Sequence, residues 1–282
     1  MASASDLLWA PERLVAERKR GNVRILDVRA GERYATGHVP GAGHFSLYGL
    51  NTYDTDEAPL ASFVHMWAFV LGRTGVARDD RVVFYEDDTG MTAARGFWFL
   101  EYLGHENVHV LDGGLRAWVD AGGDVSRDAA APSPVSYPYE RRAERVATYR
   151  EMLDAIGEPG KVILDTRGDG EWFGTERHAK RNGTIPSAVH LEWTRLVTSN
   201  GRLRPPEELE ALFAARGVTR DKEVLAFCNT GYRSAHAYLA LRRLGYPKVR
   251  NYVGSWQEWG NRDGLPVVVP ENADRAPSSY NE

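Results

Sequence analysis

Cys228 is the single cysteine of this 282-residue chain, and it sits where a thiol could be made reactive. It directly follows the apolar run Glu223–Phe227. Asn229, Thr230, Gly231, Tyr232, Arg233 and Ser234 come next, and apolar residues at helical spacing then continue to Leu244. A strand, a tight turn and a helix start in that order point backbone N–H groups and the positive end of the helix back at the sulfur. Gly231 permits a backbone conformation that a side chain would resist, and Arg233 adds a fixed positive charge. A free thiol with a pKa near ~8.5 is only a few per cent thiolate at neutral pH. Lowering that by two units needs a preference for the anion of about 2.7 kcal/mol. Two charge-assisted hydrogen bonds of about 1.5 kcal/mol each would supply it. Without that setting, a free cysteine at a strand end is usually a buried, inert, small apolar residue.

Spacing narrows the chemistry. Cysteine phosphatases separate cysteine and arginine by five residues, whereas Cys228 and Arg233 are separated by four. The shorter loop encloses less space than a tetrahedral phosphate needs. It suits one extra sulfur on the cysteine, because a persulfide anion accepts the same N–H bonds as the thiolate.

The elements that would position this loop occur twice. Ile25-Leu-Asp-Val-Arg29 is echoed by Ile163-Leu-Asp-Thr-Arg167, and Gly37-His-Val-Pro-Gly-Ala-Gly-His44 by Gly183-Thr-Ile-Pro-Ser-Ala-Val-His190. Leu103-Gly104, Val108, Gly113 and Trp118 return as Leu244-Gly245, Val249, Gly254 and Trp259. The order is preserved over a period far longer than the about 20–50 residues of solenoid repeats, so this is a duplicated domain. Buried strands are predicted over Val23–Val28, Arg81–Tyr85, Val108–Leu111, Val162–Asp165, Glu223–Phe227 and Val249–Tyr252, and helices over Glu207–Arg216 and Arg233–Leu244. Strand alternating with helix predicts an α/β fold: two tandem domains, each a mainly parallel sheet with helices on both faces. In such sheets, ligands sit beyond the carboxyl ends of the strands. The expected divisions are a first domain over 1–124, a polar, proline-containing linker over 125–145 and a second domain over 146–282. Thr148, with Glu151 three residues on, has the form of a helix cap. The polar tail after Pro270 is expected to fray.

Composition removes several function classes. The net charge of −4 gives no basic footprint for nucleic acid. No apolar run approaches the roughly 20 residues of a membrane helix, and the first six residues lack the regions of a signal peptide. A single cysteine makes no internal disulfide, so the cytoplasm is the expected compartment. The eight histidines show no metal-ligand spacing, and neither metal nor cofactor is expected. Asn182-Gly-Thr184 is a glycosylation sequon inside a repeated structural turn, where use is not expected.

These motifs together resemble the tandem-domain rhodanese family of sulfurtransferases. The residues that carry the resemblance are Leu26-Asp-Val-Arg29 with Gly37-His-Val-Pro-Gly-Ala42, Leu164-Asp-Thr-Arg167 with Gly183-Thr-Ile-Pro-Ser-Ala188, Cys228-Asn-Thr-Gly-Tyr-Arg-Ser234, and Val249-Arg-Asn-Tyr-Val-Gly-Ser-Trp256-Gln-Glu-Trp-Gly260. The likeness runs from about Leu7 to Pro270. It implies that Cys228 accepts sulfur from thiosulfate, or from 3-mercaptopyruvate, and passes it to cyanide, a thiol or a small redox protein. It also implies an inactive first domain and an active second one. Arg167 matches an arginine that binds the donor's anionic end; the alternative is a fold-maintaining ion pair with Asp165, since Arg29 recurs in the copy without a thiol. Arg233 matches a loop arginine, with a solvated helix-start residue as the alternative. Thr230 stands where thiosulfate specialists from animals have a lysine and where the mercaptopyruvate branch has a small hydroxyl. Asn229, Gly231, Tyr232 and Ser234 complete the expected substrate-binding loop.

Two cations, Arg233 facing Arg167, favour thiosulfate. A sulfur-carrier or regulatory module with negligible turnover is the alternative from another class. In the first domain, Tyr85-Glu-Asp-Asp-Thr-Gly90 replaces the cysteine loop, and Glu86, Asp87 and Asp88 are expected to repel an anionic donor. A helper role for that domain at the interface stays open. Trp172, Trp256 and Trp259 are candidate lining residues. Packing is the better reading for Trp259, which Trp118 repeats, and structure for the repeated His44 and His190.

Overall fold

The computed structural model describes residues 6–271. Each half folds as a five-stranded parallel sheet. In the first, β1 (Leu8–Trp9), β2 (Val23–Asp27), β3 (Gly43–His44), β4 (Arg81–Tyr85) and β5 (Val108–Leu111) lie in the order β1-β5-β4-β2-β3. In the second, β6 (Val146–Ala147), β7 (Lys161–Asp165), β8 (Val189–His190), β9 (Glu223–Phe227) and β10 (Val249–Tyr252) repeat that order as β6-β10-β9-β7-β8. The central strands match the apolar runs in the sequence. The four two-residue edge strands are too short to show any periodicity and were not anticipated.

Helices α1 (Pro11–Lys19), α2 (Gly31–Thr36), α3 (Glu57–Arg73), α4 (Met91–Tyr102) and α5 (Gly114–Asp120) belong to the first half. Helices α6 (Tyr149–Asp154), α7 (Asp169–Trp172), α8 (Pro206–Ala214), α9 (Tyr232–Arg243) and α10 (Ser255–Trp259) belong to the second. The period-2 alternation of strands sorts side chains between two layers. Along β4, Val82 and Phe84 enter one core while Val83 and Tyr85 enter another; along β9, Val224 and Ala226 separate from Leu225 and Phe227 in the same way. The first of these cores is shared. It runs from α3 and α4 of the first half into α8 and α9 of the second, where α4 and α9, the same element in each copy, pack on each other. Phe97 meets Tyr238 across this seam, and the Tyr238 hydroxyl donates to Glu101 at 2.5 Å. Neither domain therefore buries its inner face alone.

The expected cap is present: Thr148 and Glu151 form a reciprocal capping box. The segment between the domains has one isolated bridge, Ser126 to His38, and a single 3-10 turn at Ala143–Arg145. It is strapped onto the first domain. Val135 N donates to Gly72 O at 2.9 Å, and Tyr137 is buried against His105. Of the tail expected to fray, the part beyond Glu271 lies outside the described residues. No helix among the described residues is long and apolar enough to cross a membrane.

Candidate active site

Register fixes where the functional side chains emerge. Asp165 at the end of β7 pairs with Phe227 at the end of β9. Arg167, two residues on, and Cys228, one residue on, therefore leave the same carboxyl edge of the sheet. Asp27 and Tyr85 stand in the same register in the first half, so Arg29 and Glu86 occupy the matching places.

Cys228 is 1% exposed. Its sulfur accepts the Gly231 amide at 3.1 Å, and the Ser234 hydroxyl lies 3.6 Å away. That hydroxyl also donates to Asn251 Oδ1 at 2.7 Å. On the other side, Cys228 N donates to Ser255 Oγ at 3.2 Å, and Trp256 N donates to Cys228 O at 3.0 Å, which ties the loop to the start of α10. Burial by itself would push the thiol up. The Arg233 charge, with bonds from Ser234 and from the backbone at Thr230, outweighs it and holds the thiol below its ordinary value. Gly231 has φ +84°, and a Cβ there would fall 2.3 Å from Arg95 Nη1. Glycine is thus required both by the turn and by a guanidinium packed against it.

Both arginines expected to offer fixed cations to the donor are paired: the ion pair with Asp165 weighed for Arg167 is present, and Arg233 is held by a carboxylate. Arg233 donates with both Nη atoms to the Glu171 carboxylate of α7, with Nη2 at 2.9 Å. Glu171 also accepts Gly168 N at 3.2 Å. Arg167 is 1% exposed and held to Asp165 through Nε (2.9 Å) and Nη2 (2.6 Å), with Nη2 also donating to Gly183 O at 2.7 Å. It lies over the Trp256 and Phe227 rings. Arg29 repeats the pairing with Asp27 and Gly37 O and spends its Nη1 on Asp87. A fold-maintaining ion pair is therefore real in both copies. Arg167 differs in that its Nη1 makes no hydrogen bond among the described residues.

The other expected site residues divide. Asn229 and Thr230 form the half-buried rim, where Asn229 O accepts Gln257 N at 3.0 Å. Tyr232 is turned to the first domain: its hydroxyl donates to Leu47 O at 2.6 Å. Trp172 stacks on His190, and His190 and His44 bond the Arg167 and Arg29 carbonyls, so both histidines are structural. Trp259 is fully buried and donates to Pro266 O. Asn182 donates to Gly174 O, which fits its place in a turn. Sequence reasoning missed Glu171, Asn251, Ser255 and Arg95. Ser255 and Asn251 lie within a motif already recognised; Glu171 and Arg95 gave no local signal. Glu171, Glu176 and His178 could bring ligand atoms within 4.8 Å of one another, but Glu171 is committed to Arg233.

The first-domain loop is filled rather than repulsive. Glu86 turns inward, and its Oε1 accepts the Thr92 and Ala93 amides at 2.7 and 2.8 Å. Asp87 pairs with Arg29 and Arg33, and Asp88 with Arg116. The carboxylates expected to face a donor are engaged by the protein itself.

The rhodanese-like domain profile matches residues 10–121 and 148–262. The sulfur carrier protein TtuD of Thermus thermophilus is 33% identical over 279 residues, covering 93% of this chain and 95% of that protein. A thiosulfate sulfurtransferase of Pseudomonas aeruginosa is 34% identical over 247 residues, covering 87% and 90%. Among solved structures, wild-type EanB superposes with a TM-score of 0.86 at 22% identity, over 96% of this chain and 71% of that one, a likeness of fold.

Proposed function

Since the chain belongs to the rhodanese-like domain family, built as two such domains in tandem, we propose that it is a sulfurtransferase in which Cys228 takes the outer sulfur of thiosulfate and passes it to a thiol or to cyanide. The observation that carries this reading is the Cys228 cradle: a buried sulfur receiving the Gly231 amide at 3.1 Å, with its ionisation favoured by Arg233. Catalysis is divided into two displacements. The Cys228 thiolate attacks the outer sulfur of thiosulfate. The new Cys228 sulfur–sulfur bond forms as the donor's sulfur–sulfur bond breaks, and sulfite leaves with that electron pair. The persulfide anion then takes the thiolate's place against the Gly231 amide. Attack by cyanide on the outer sulfur yields thiocyanate and returns the thiolate; a thiol acceptor leaves as its own persulfide.

Arg167 Nη1, which makes no hydrogen bond among the described residues, suits a sulfonate-like oxygen. Thiosulfate, rather than 3-mercaptopyruvate, is the donor in this reading because relatives of nearly the whole length carry that name. With Arg167 and Arg233 both paired, charge alone separates the two donors less than the sequence suggested.

The test is intact-mass spectrometry of protein incubated with thiosulfate and no acceptor. A gain of one sulfur atom at Cys228, removed on adding cyanide, is expected. Sulfite release only in the presence of acceptor would overturn the covalent route. A sulfur-carrier role is favoured by the likeness to the Thermus protein. It would show the same sulfur gain but negligible steady-state thiocyanate formation.

A further inference from the structure

Arg95 belongs to the domain that has no thiol, yet it reaches the cysteine loop. It lies on α4, is 0% exposed, and donates from Nη1 to Gly231 O at 3.0 Å. Asn251 Nδ2 donates to the same carbonyl at 3.1 Å. The guanidinium lies over the Trp98 and Tyr232 rings, at 5.0 and 4.9 Å from their centroids. Among the described residues its Nε and Nη2 have no hydrogen-bond partner and no carboxylate pairs with it.

A buried, unpaired guanidinium is among the most costly groups a fold can carry. Aromatic faces offset part of that cost, and a structural plug would need nothing more. This one, however, lies against the residue whose amide binds the reactive sulfur.

We propose that Arg95 is a positioning residue for sulfur transfer: it pins Gly231 so that its amide meets the sulfur of Cys228, and its charge, unpaired by any carboxylate, favours the anionic sulfur. The first domain thus supplies part of the active site. Burial lowers Arg95 to about 10, against opposing pull from Tyr232 and Cys228, so the group stays charged at neutral pH. Arg233 is paired with Glu171 and Arg167 with Asp165, whereas Arg95 has no carboxylate partner among the described residues, so its charge would add to that of Arg233 on the sulfur. The inference rests on the sulfur-transfer reading, but thiol ionisation can be read without any donor, so the two can fail separately.

The charged and titratable groups around Cys228 among the described residues are Arg233 and Tyr232 from α9, Arg95 from α4, Glu171 from α7, Asp165 at the end of β7 and Arg167 just beyond it. With one cysteine in the chain, the pH dependence of iodoacetamide alkylation reports Cys228 alone. In Arg95→Gln, the alkylation midpoint should rise by about one pH unit or more, a tenfold loss of thiolate, and kcat at pH 7 should fall more than the donor KM rises. Arg95→Lys should shift the midpoint less, because it keeps the charge. Circular dichroism and melting temperature report the fold. A folded Arg95→Gln protein with an unchanged midpoint would overturn the proposal. If Arg95→Gln does not fold, Arg233→Ala decides: its midpoint should stay below that of an ordinary thiol, and a midpoint at or above it would leave Arg95 no part in the ionisation.

Discussion

Glu86 and Cys228 occupy the same place in the two halves, each one residue beyond the central strand and at the mouth of the helix that follows. Glu86 Oε1 takes the Thr92 and Ala93 amides at 2.7 and 2.8 Å; Cys228 Sγ takes the Gly231 amide at 3.1 Å. Both cradles are anion sites built from a helix N-terminus. In the first half the fold closes the site with its own carboxyl group. In the second it leaves a sulfur there, which can carry a further atom. The first copy is therefore a completed version of the same site, and its Arg95 reaches the loop of the other half.

This arrangement should be visible in stability. Burial pushes Glu86 up to about 7, opposed by the two amides. Between the unfolded value near ~4.3 and about 7, the folded protein holds a proton that the unfolded chain releases. The group's contribution is thus full below that window and is lost as pH rises through about 7. Glu86→Gln removes the titration while keeping the acceptor. Its stability relative to wild type, from urea unfolding, should improve by about 1–3 kcal/mol between pH 5 and pH 8. A difference that does not vary with pH would mean Glu86 ionises like a surface carboxyl.

Cys228→Ser should lose roughly 10³-fold or more in sulfur transfer while melting close to wild type. The hydroxyl can still accept the Gly231 amide, so its burial is compensated to within about 1–2 kcal/mol. Near-normal thiocyanate formation by the folded variant would place the nucleophile elsewhere.

Gly231→Ala combines two penalties: a left-handed φ of +84° and a methyl group 2.3 Å from Arg95 Nη1. Destabilisation of about 1–3 kcal/mol is expected by chemical denaturation, together with a steep fall in kcat. A loss of stability with full activity would show that the loop tolerates a displaced Arg95.

The central strands and the cysteine loop could be read because each is contiguous. An apolar run such as Arg81–Tyr85 announces a buried strand, and Phe227, Cys228, Gly231 and Arg233 lie within a few residues of one another. The edge strands could not be read, since Leu8–Trp9 or Val189–His190 show no period in two residues. Helix α3 was also unanticipated, although its Leu60, Val64, Trp67 and Leu71 are buried at helical spacing. The partners that set the charge of the site were hidden for a different reason. Glu171 lies 62 residues before Arg233, and Arg95 lies 136 before Gly231, in a domain whose loop suggests no chemistry. Chain topology brings them together, and local pattern carries no trace of that.

The Arg233–Glu171 pair gives the sharpest test of donor choice. Both Nη atoms of Arg233 are spent on Glu171, and that pairing outweighs burial and keeps the two ionised: Glu171 is held below the usual carboxylate range and Arg233 well above its ordinary value. The pair is nearly neutral toward an incoming anion. Glu171→Gln keeps an acceptor for Gly168 N and for Arg233 but leaves the arginine's charge uncompensated. Thiosulfate carries two negative charges and 3-mercaptopyruvate one, so the unmasked cation should favour thiosulfate more. A several-fold to tenfold rise in the thiosulfate-to-mercaptopyruvate ratio of kcat/KM is expected, up to about 1.4 kcal/mol in transition-state binding. The Cys228 thiol should also fall further, because a nearby negative charge is gone. The comparison needs cyanide as common acceptor and both donors on one preparation. If the thiol pKa falls but the donor ratio stays fixed, Arg233 tunes the nucleophile and does not touch the donor, which leaves Arg167 Nη1 to hold the anionic end. If neither changes, the pair is a brace between α7 and α9 and Arg233 leaves the list of site residues.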